Sequence, residues 1–99
     1  MITLNGSNFQ KEVLDCEKPV VVLFTAQWDI VGAKTLLFLN KVITHKVGFV
    51  DFDVERDLVH KYSVTNLPRI FLFHQGHIVS ALNSTANQSE FMELLKGVQ

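Results

Sequence analysis

Sulfur chemistry is nearly missing from this chain: Cys16 is its single cysteine. One thiol permits no internal disulfide and no cysteine-based metal cluster, so a reducing, intracellular (cytoplasmic) setting is the expectation. Charge of one sign is also lacking. Nine Lys and Arg stand against ten Asp and Glu, a net charge of -1, with a pI near 6.4. That balance removes the electrostatic case for general nucleic-acid or acidic-membrane binding. Long apolar runs are absent: Val20–Phe24 and Ile70–Phe73 have strand length, far short of the roughly 18–20 residues of a membrane span. The start, Met1-Ile2-Thr3-Leu4-Asn5-Gly6, has neither the basic region nor the apolar core of a signal peptide. No repeat, low-complexity tract or Pro/Gly-rich linker interrupts the sequence, and a single domain over 1–99 is expected.

What is present suits a compact fold. Hydrophobic residues make up 47% and charged residues 19%, the reverse of a disordered composition. Ile2–Leu4 is short and leans to strand. Gly6-Ser7-Asn8 opens a helix with Phe9, Val13 and Leu14 on one face, and Pro19 closes that region. Val20–Phe24 is a continuous β-branched and aromatic run, as in a central strand covered on both faces. Gln27–Gly32 reads as a loop. Lys34–Thr44 reads as a helix with Leu36, Leu39 and Ile43 in register, widened by Phe38 and Val42. Its expected task is to cover the sheet rather than to pair subunits.

Val47–Phe52 returns to strand character, and Glu55–Tyr62 is a short helix with charges placed as the helix dipole prefers. Ile70–Phe73 and Ile78–Leu82 flank His74-Gln75-Gly76-His77, a hairpin signal. Asn87 with Glu90 forms a capping box before Phe91, Leu94, Leu95 and Val98. The order β-α-β-α-β-α-β-β-α predicts an α/β sandwich.

Two segments carry a family resemblance. Val21-Val22-Leu23-Phe24-Thr25-Ala26-Gln27-Trp28 resembles the strand and Trp-bearing turn that precede the active site of thioredoxins. Val64–Phe73, containing Leu67-Pro68-Arg69, resembles their cis-proline segment and the strand that follows. The resemblance covers nearly the whole chain. It implies a thioredoxin-like fold: a central mixed sheet of about five strands flanked by about four helices.

The same resemblance exposes two departures. Where the family has Cys-x-x-Cys, this chain has Asp29-Ile30-Val31-Gly32. Thiol–disulfide exchange needs an attacking thiolate and a resolving thiol, and neither Asp nor Gly supplies one. Where thioredoxins bury an Asp beside a Lys, this chain has Leu23 and Phe49. A buried charge is costly unless paired, so apolar replacements agree with the loss of the thiols. The reading is of a non-enzyme: a redox-inactive protein-binding or regulatory module with no cofactor and no metal. A mimic that competes with thioredoxin for partners is a variant of this reading. The alternative is an atypical single-cysteine thiol oxidoreductase acting through Cys16.

The family groove implies candidate protein contacts at Trp28, Asp29, Ile30, Val31, Leu67, Pro68 and Arg69. Trp28 serves either as a loop anchor or as a contact, and Ile30 and Val31 are expected to project outward. Pro68 is expected to be cis and first of all structural. Arg69 reads as a solvated arginine, with pairing to Asp29 or to a partner carboxylate as alternatives. His74 and His77 have H-x-x-H spacing but lack further ligands, which favours turn histidines over zinc. His45 and His60 are isolated polar residues, and Cys16 is expected to be a passive thiol remote from the loop.

Overall fold

The computed structural model describes residues 2–42, 45–83 and 88–96. Ile43, Thr44, Asn87 and Val98, named above, lie outside the described residues. Five strands form one mixed sheet: β1 (Ile2–Leu4), β2 (Val20–Thr25), β3 (Lys46–Asp51), β4 (Arg69–His74) and β5 (His77–Leu82). Their spatial order is β1-β3-β2-β4-β5. The pairs β1–β3 and β2–β3 are parallel, whereas β2–β4 and β4–β5 are antiparallel. Three α-helices, α1 (Ile30–Val42), α2 (Arg56–Lys61) and α3 (Gln88–Leu95), and a π-helical turn at Gln10–Leu14 complete the architecture. This is the expected α/β fold, and no helix among the described residues is long and apolar enough to cross a membrane.

The run Val20–Thr25 is central because every one of its side chains is buried. Strand alternation divides them between two cores. Val20, Val22 and Phe24 face Phe9 and Val13 of the first turn and Leu58 and Val59 of α2. Val21 and Leu23 face Leu39 of α1 and Phe91, Leu94 and Leu95 of α3. The positions read as replacements for the family's buried ion pair do lie side by side: Leu23 is the register partner of Phe49. Leu23 has no exposed surface and packs in the second core, with Phe49 half-buried against it.

Aromatic rings fill much of the first core. Phe9, Phe24, Tyr62, Phe71 and Phe73 make edge or tilted contacts at centroid separations of 5.5–6.3 Å. Burial raises the pKa of the Tyr62 phenol above its ordinary 10.0.

Several element boundaries differ from the sequence reading, each for a local reason. The first helix is a π-wound turn, and its entrance is organised by Asn5 together with Asn8. The Asn5 carboxamide oxygen accepts from the Ser7 and Asn8 amides (2.8 and 3.0 Å), while Asn8 Oδ1 accepts from the Asn5 amide (2.8 Å). This reciprocal pair satisfies the amides that lead into the turn and fixes where it begins. Helix α1 begins four residues earlier than Lys34, so Ile30, Val31 and Gly32 are helical rather than loop. In the hairpin both Gln75 and Gly76 have positive φ (53° and 81°), giving a two-residue turn whose twist matches the strands. A register shift at Leu72/Phe73 leaves Val79 as an extra residue on the outer strand, and Ile78 and Val79 are both exposed.

Two measurements check this packing. Leu23→Asp is expected to destabilise the fold by about 3–5 kcal/mol, because it buries a charge with no partner. Adding Phe49→Lys should recover part of that loss in urea unfolding, as a register neighbour would. Tyr62 is the chain's one tyrosine, so its phenolate absorbance reports it alone. The native midpoint should lie above that of the urea-unfolded chain. Below 10.0 both states are protonated; as pH rises beyond it the unfolded state ionises first, and stability should fall.

Candidate functional site

Parallel strands β2 and β3 end side by side, with Thr25 opposite Asp51, and Phe24 lies opposite Arg69 at the start of β4. Register therefore brings three connections to one end of the sheet: 26–29, 52–55 and the segment that enters β4. In open α/β sheets, the carboxyl ends of parallel strands are where ligands bind. The Phe52 amide donates to the Thr25 carbonyl (2.8 Å) and ties the first two connections together. In the third, the Leu67–Pro68 peptide bond is cis.

Asp29 governs the local geometry. It immediately precedes α1 and is buried. Its Oδ1 accepts the Gly32 amide (2.9 Å), and its Oδ2 accepts the Thr25 hydroxyl (3.1 Å). The first bond is an N-cap, which satisfies a helix amide that has no partner within the helix and places negative charge at the positive end of the dipole. The Asp29 carbonyl then accepts the Ala33 amide (3.0 Å) and starts the helix ladder. Gly32 completes the arrangement by having no side chain. A Cβ there would overlap the Thr25 hydroxyl oxygen and the Asp29 carboxylate.

These contacts correct part of the sequence reading. Asp29 is not an exposed contact, and it does not pair with Arg69. The carboxylate is engaged inside the loop, while the Arg69 guanidinium donates to Asn83 Oδ1 (2.7 Å) and lies 4.9 Å from the centre of the Phe71 ring. Arg69 is half-buried rather than freely solvated, and Pro68 is buried. Leu67 is half-buried and packs against the first core.

The surface that is offered centres on Trp28, which is 63% exposed. Its indole N–H donates to Asp53 Oδ2 (2.7 Å), so the ring is at once anchored and open to solvent. Ile30 and Val31 project from the first turn of α1, with Ile30 72% exposed. Val54, equally exposed, adds apolar surface that the sequence did not flag. Gln27, Trp28, Asp51, Asp53 and Val54 line an open groove of about 520 Å³. Of this group only Trp28 was singled out from sequence. Asp51, Asp53 and Val54 join it through the pairing of β3 with β2, which no local pattern in their own segment encodes.

Cys16 lies elsewhere. It follows the π-helical turn, half-buried, with its Sγ 4.0 Å from Lys46 Nζ. Lys46 is the first residue of β3 and also meets Glu12 (Nζ–Oε2 3.0 Å). Lys46 and Asp51 are the two ends of β3, five residue steps or about 17 Å apart at normal strand rise. His74 and His77 face one another across the hairpin, and no group of three potential metal ligands is found among the described residues.

This sheet order, with a capped helix leaving β2 and a cis-proline entering β4, agrees with the comparisons of sequence. The Thioredoxin family model matches residues 1–97, and the chain belongs to the thioredoxin family. It is similar to Thioredoxin C-2 of Corynebacterium nephridii, at 33% identity over 91% of this chain and 88% of that protein. It is also similar to the mitochondrial thioredoxin of Bos taurus, at 31% identity over 93% of this chain. The chain spans 58% of the length of that mitochondrial relative. With a single cysteine, this member of the family has no Cys-x-x-Cys pair.

The capping geometry makes a prediction contrary to helix propensity. Gly to Ala within a helix normally adds about 0.5–1 kcal/mol of stability. Gly32→Ala should instead destabilise by about 1–3 kcal/mol through overpacking, and the loss should be smaller in an Asp29→Ala background. Equal losses in both backgrounds, read from denaturant midpoints, would locate the conflict away from the carboxylate.

Proposed function

We propose that this chain is a redox-inactive thioredoxin-family module that binds a protein partner through the surface around Trp28. The observation that carries the reading is the occupancy of the former dithiol positions. Asp29 is buried as a helix cap and Gly32 is held side-chain-free beside it. A carboxylate forms no mixed disulfide, and with no thiol at either position there is neither a sulfur nucleophile to attack a disulfide nor a dithiol to supply the two electrons that reduce it. The apolar groups beside this point in the opposite direction: Trp28, Ile30, Val31 and Val54 are all exposed. Clustered exposed apolar side chains, one of them a tryptophan, are characteristic of protein contact surfaces. Leu67 and Arg69 then border the contact rather than form its centre. A regulatory role follows if the partner is one that active thioredoxins also engage.

The alternative through Cys16 is weakened by its position at the far end of β3 from the groove. One experiment with two arms separates the readings. In a dithiol-driven insulin reduction assay, the protein should show no turnover above a Cys16→Ser variant. In affinity capture from the native cell, the partner retained by the wild-type chain should be lost by Trp28→Ala combined with Ile30→Asp. Insulin reduction that disappears in Cys16→Ser would support the oxidoreductase. Capture unchanged by the double substitution would remove the groove from the function.

A further inference from the structure

We propose that the groove beside Trp28 receives an arginine side chain presented by an extended segment of the partner protein. This rests on the binding reading above and specifies the chemistry of the ligand. The groove has two apolar walls, Trp28 and Val54, and two carboxylates, Asp51 and Asp53, with no cationic residue in its lining. Neither carboxylate forms an ion pair among the described residues. Each is held by a single oxygen. Asp51 Oδ1 accepts the Asp53 amide (2.9 Å) and Asp53 Oδ2 accepts the Trp28 indole. Among the described residues the second oxygen of each has no side-chain or amide donor, which leaves it to meet a donor from outside.

Three of the chain's own cations are engaged with other groups. Arg56 donates to the Phe52 carbonyl (3.0 Å) with its guanidinium over the Phe52 ring, Arg69 holds Asn83, and Lys61 lies over Tyr62. An incoming cation therefore meets negative charge that the fold has not neutralised. Complementary charge of this kind selects and orients a partner.

Arginine fits better than lysine for three reasons. Its planar guanidinium presents several N–H donors in a fixed fork, suited to two neighbouring carboxylates. It stacks on an indole face, the strongest of the aromatic platforms for a cation. Its methylene stem gains apolar contact along a surface such as that of Val54. The hydrogen bond from the Trp28 indole to Asp53 restrains the ring before the ligand arrives, which lowers the ordering required on binding. Ile30 and Val31, next to Trp28 in the first turn of α1, offer apolar surface to the residues flanking the arginine.

Trp28 is the chain's one tryptophan, so its emission reports the groove directly. The probe is a blocked peptide, acetyl-Ser-Val-Arg-Val-Ser-amide, compared with versions carrying citrulline or lysine in place of arginine. The arginine peptide should give a saturable change in Trp28 emission. Affinity should fall about tenfold with the uncharged but isosteric citrulline, and about as much in Asp51→Asn combined with Asp53→Asn. Asparagine at 53 keeps an oxygen for the indole, and a salt titration of the wild-type protein, expected to weaken binding, tests the charge without any substitution.

Equal affinity for the arginine and citrulline peptides, abolished by Ile30→Asp, would overturn the arginine assignment and leave the binding module standing. Equal affinity for lysine would overturn it as well. No emission change with the arginine peptide would also reject it, while the cell-capture experiment judges the module independently. An emission change with protein concentration alone would assign the groove to a second copy of the chain, and again reject the arginine.

Discussion

A carboxylate and a missing side chain set the shape of this molecule's working end. Asp29 must lie inward to reach both the Gly32 amide and the Thr25 hydroxyl, and it can do so only because position 32 carries no Cβ. Once that bond pair is formed, α1 starts at Ile30 and the next two side chains are directed outward. The exposure of Ile30 and Val31 is thus a consequence of the cap. Trp28, one residue earlier, is turned to the surface and caught by Asp53. Removing the cap would disturb the helix start, the apolar rim and the groove wall together.

The same interaction explains how a thioredoxin-family scaffold keeps its helix entrance without the family's dithiol. A polar N-cap adds of order 1 kcal/mol to a helix, which is appreciable in a fold whose net stability is small. Leu23 and Phe49 belong to the same pattern. Where the family pairs charges, this chain places two apolar neighbours, and the sheet interior is sealed without an ion to desolvate. The family's dithiol and its buried ion pair are both missing, the first position now holding a cap and the second apolar packing.

Much of the architecture was legible because it depends on periodicity and punctuation. The run at Val20–Phe24, the hairpin at Gln75-Gly76 and the alternation of strand and helix all survive in one dimension. The start of α1 was hidden by its own residues: Ile30 and Val31 are β-branched and Gly32 is a poor helix former, so propensity argued for loop. Tertiary contact with Thr25 outweighed it. The site was only half visible. Trp28, Ile30 and Val31 stood out by their match to the family's groove, but Asp51, Asp53 and Val54 reach it because β3 runs parallel to β2 and ends beside it. No pattern within 51–54 announces that neighbour. Arg69 reads from sequence as solvated for a similar reason, since its partner Asn83 is supplied by the chain after β5.

The placement of β2 has a mechanical consequence. It is hydrogen-bonded on both edges and covered on both faces, so no small local motion can expose its amides to solvent. The loop that carries Trp28 and Asp29 springs from this stiffest element and is tied at its root to the next strand through the Phe52 amide. Any load placed on that loop is passed to a strand that opens only with the domain as a whole. For the binding role proposed above, this means a surface set before contact rather than remodelled by it.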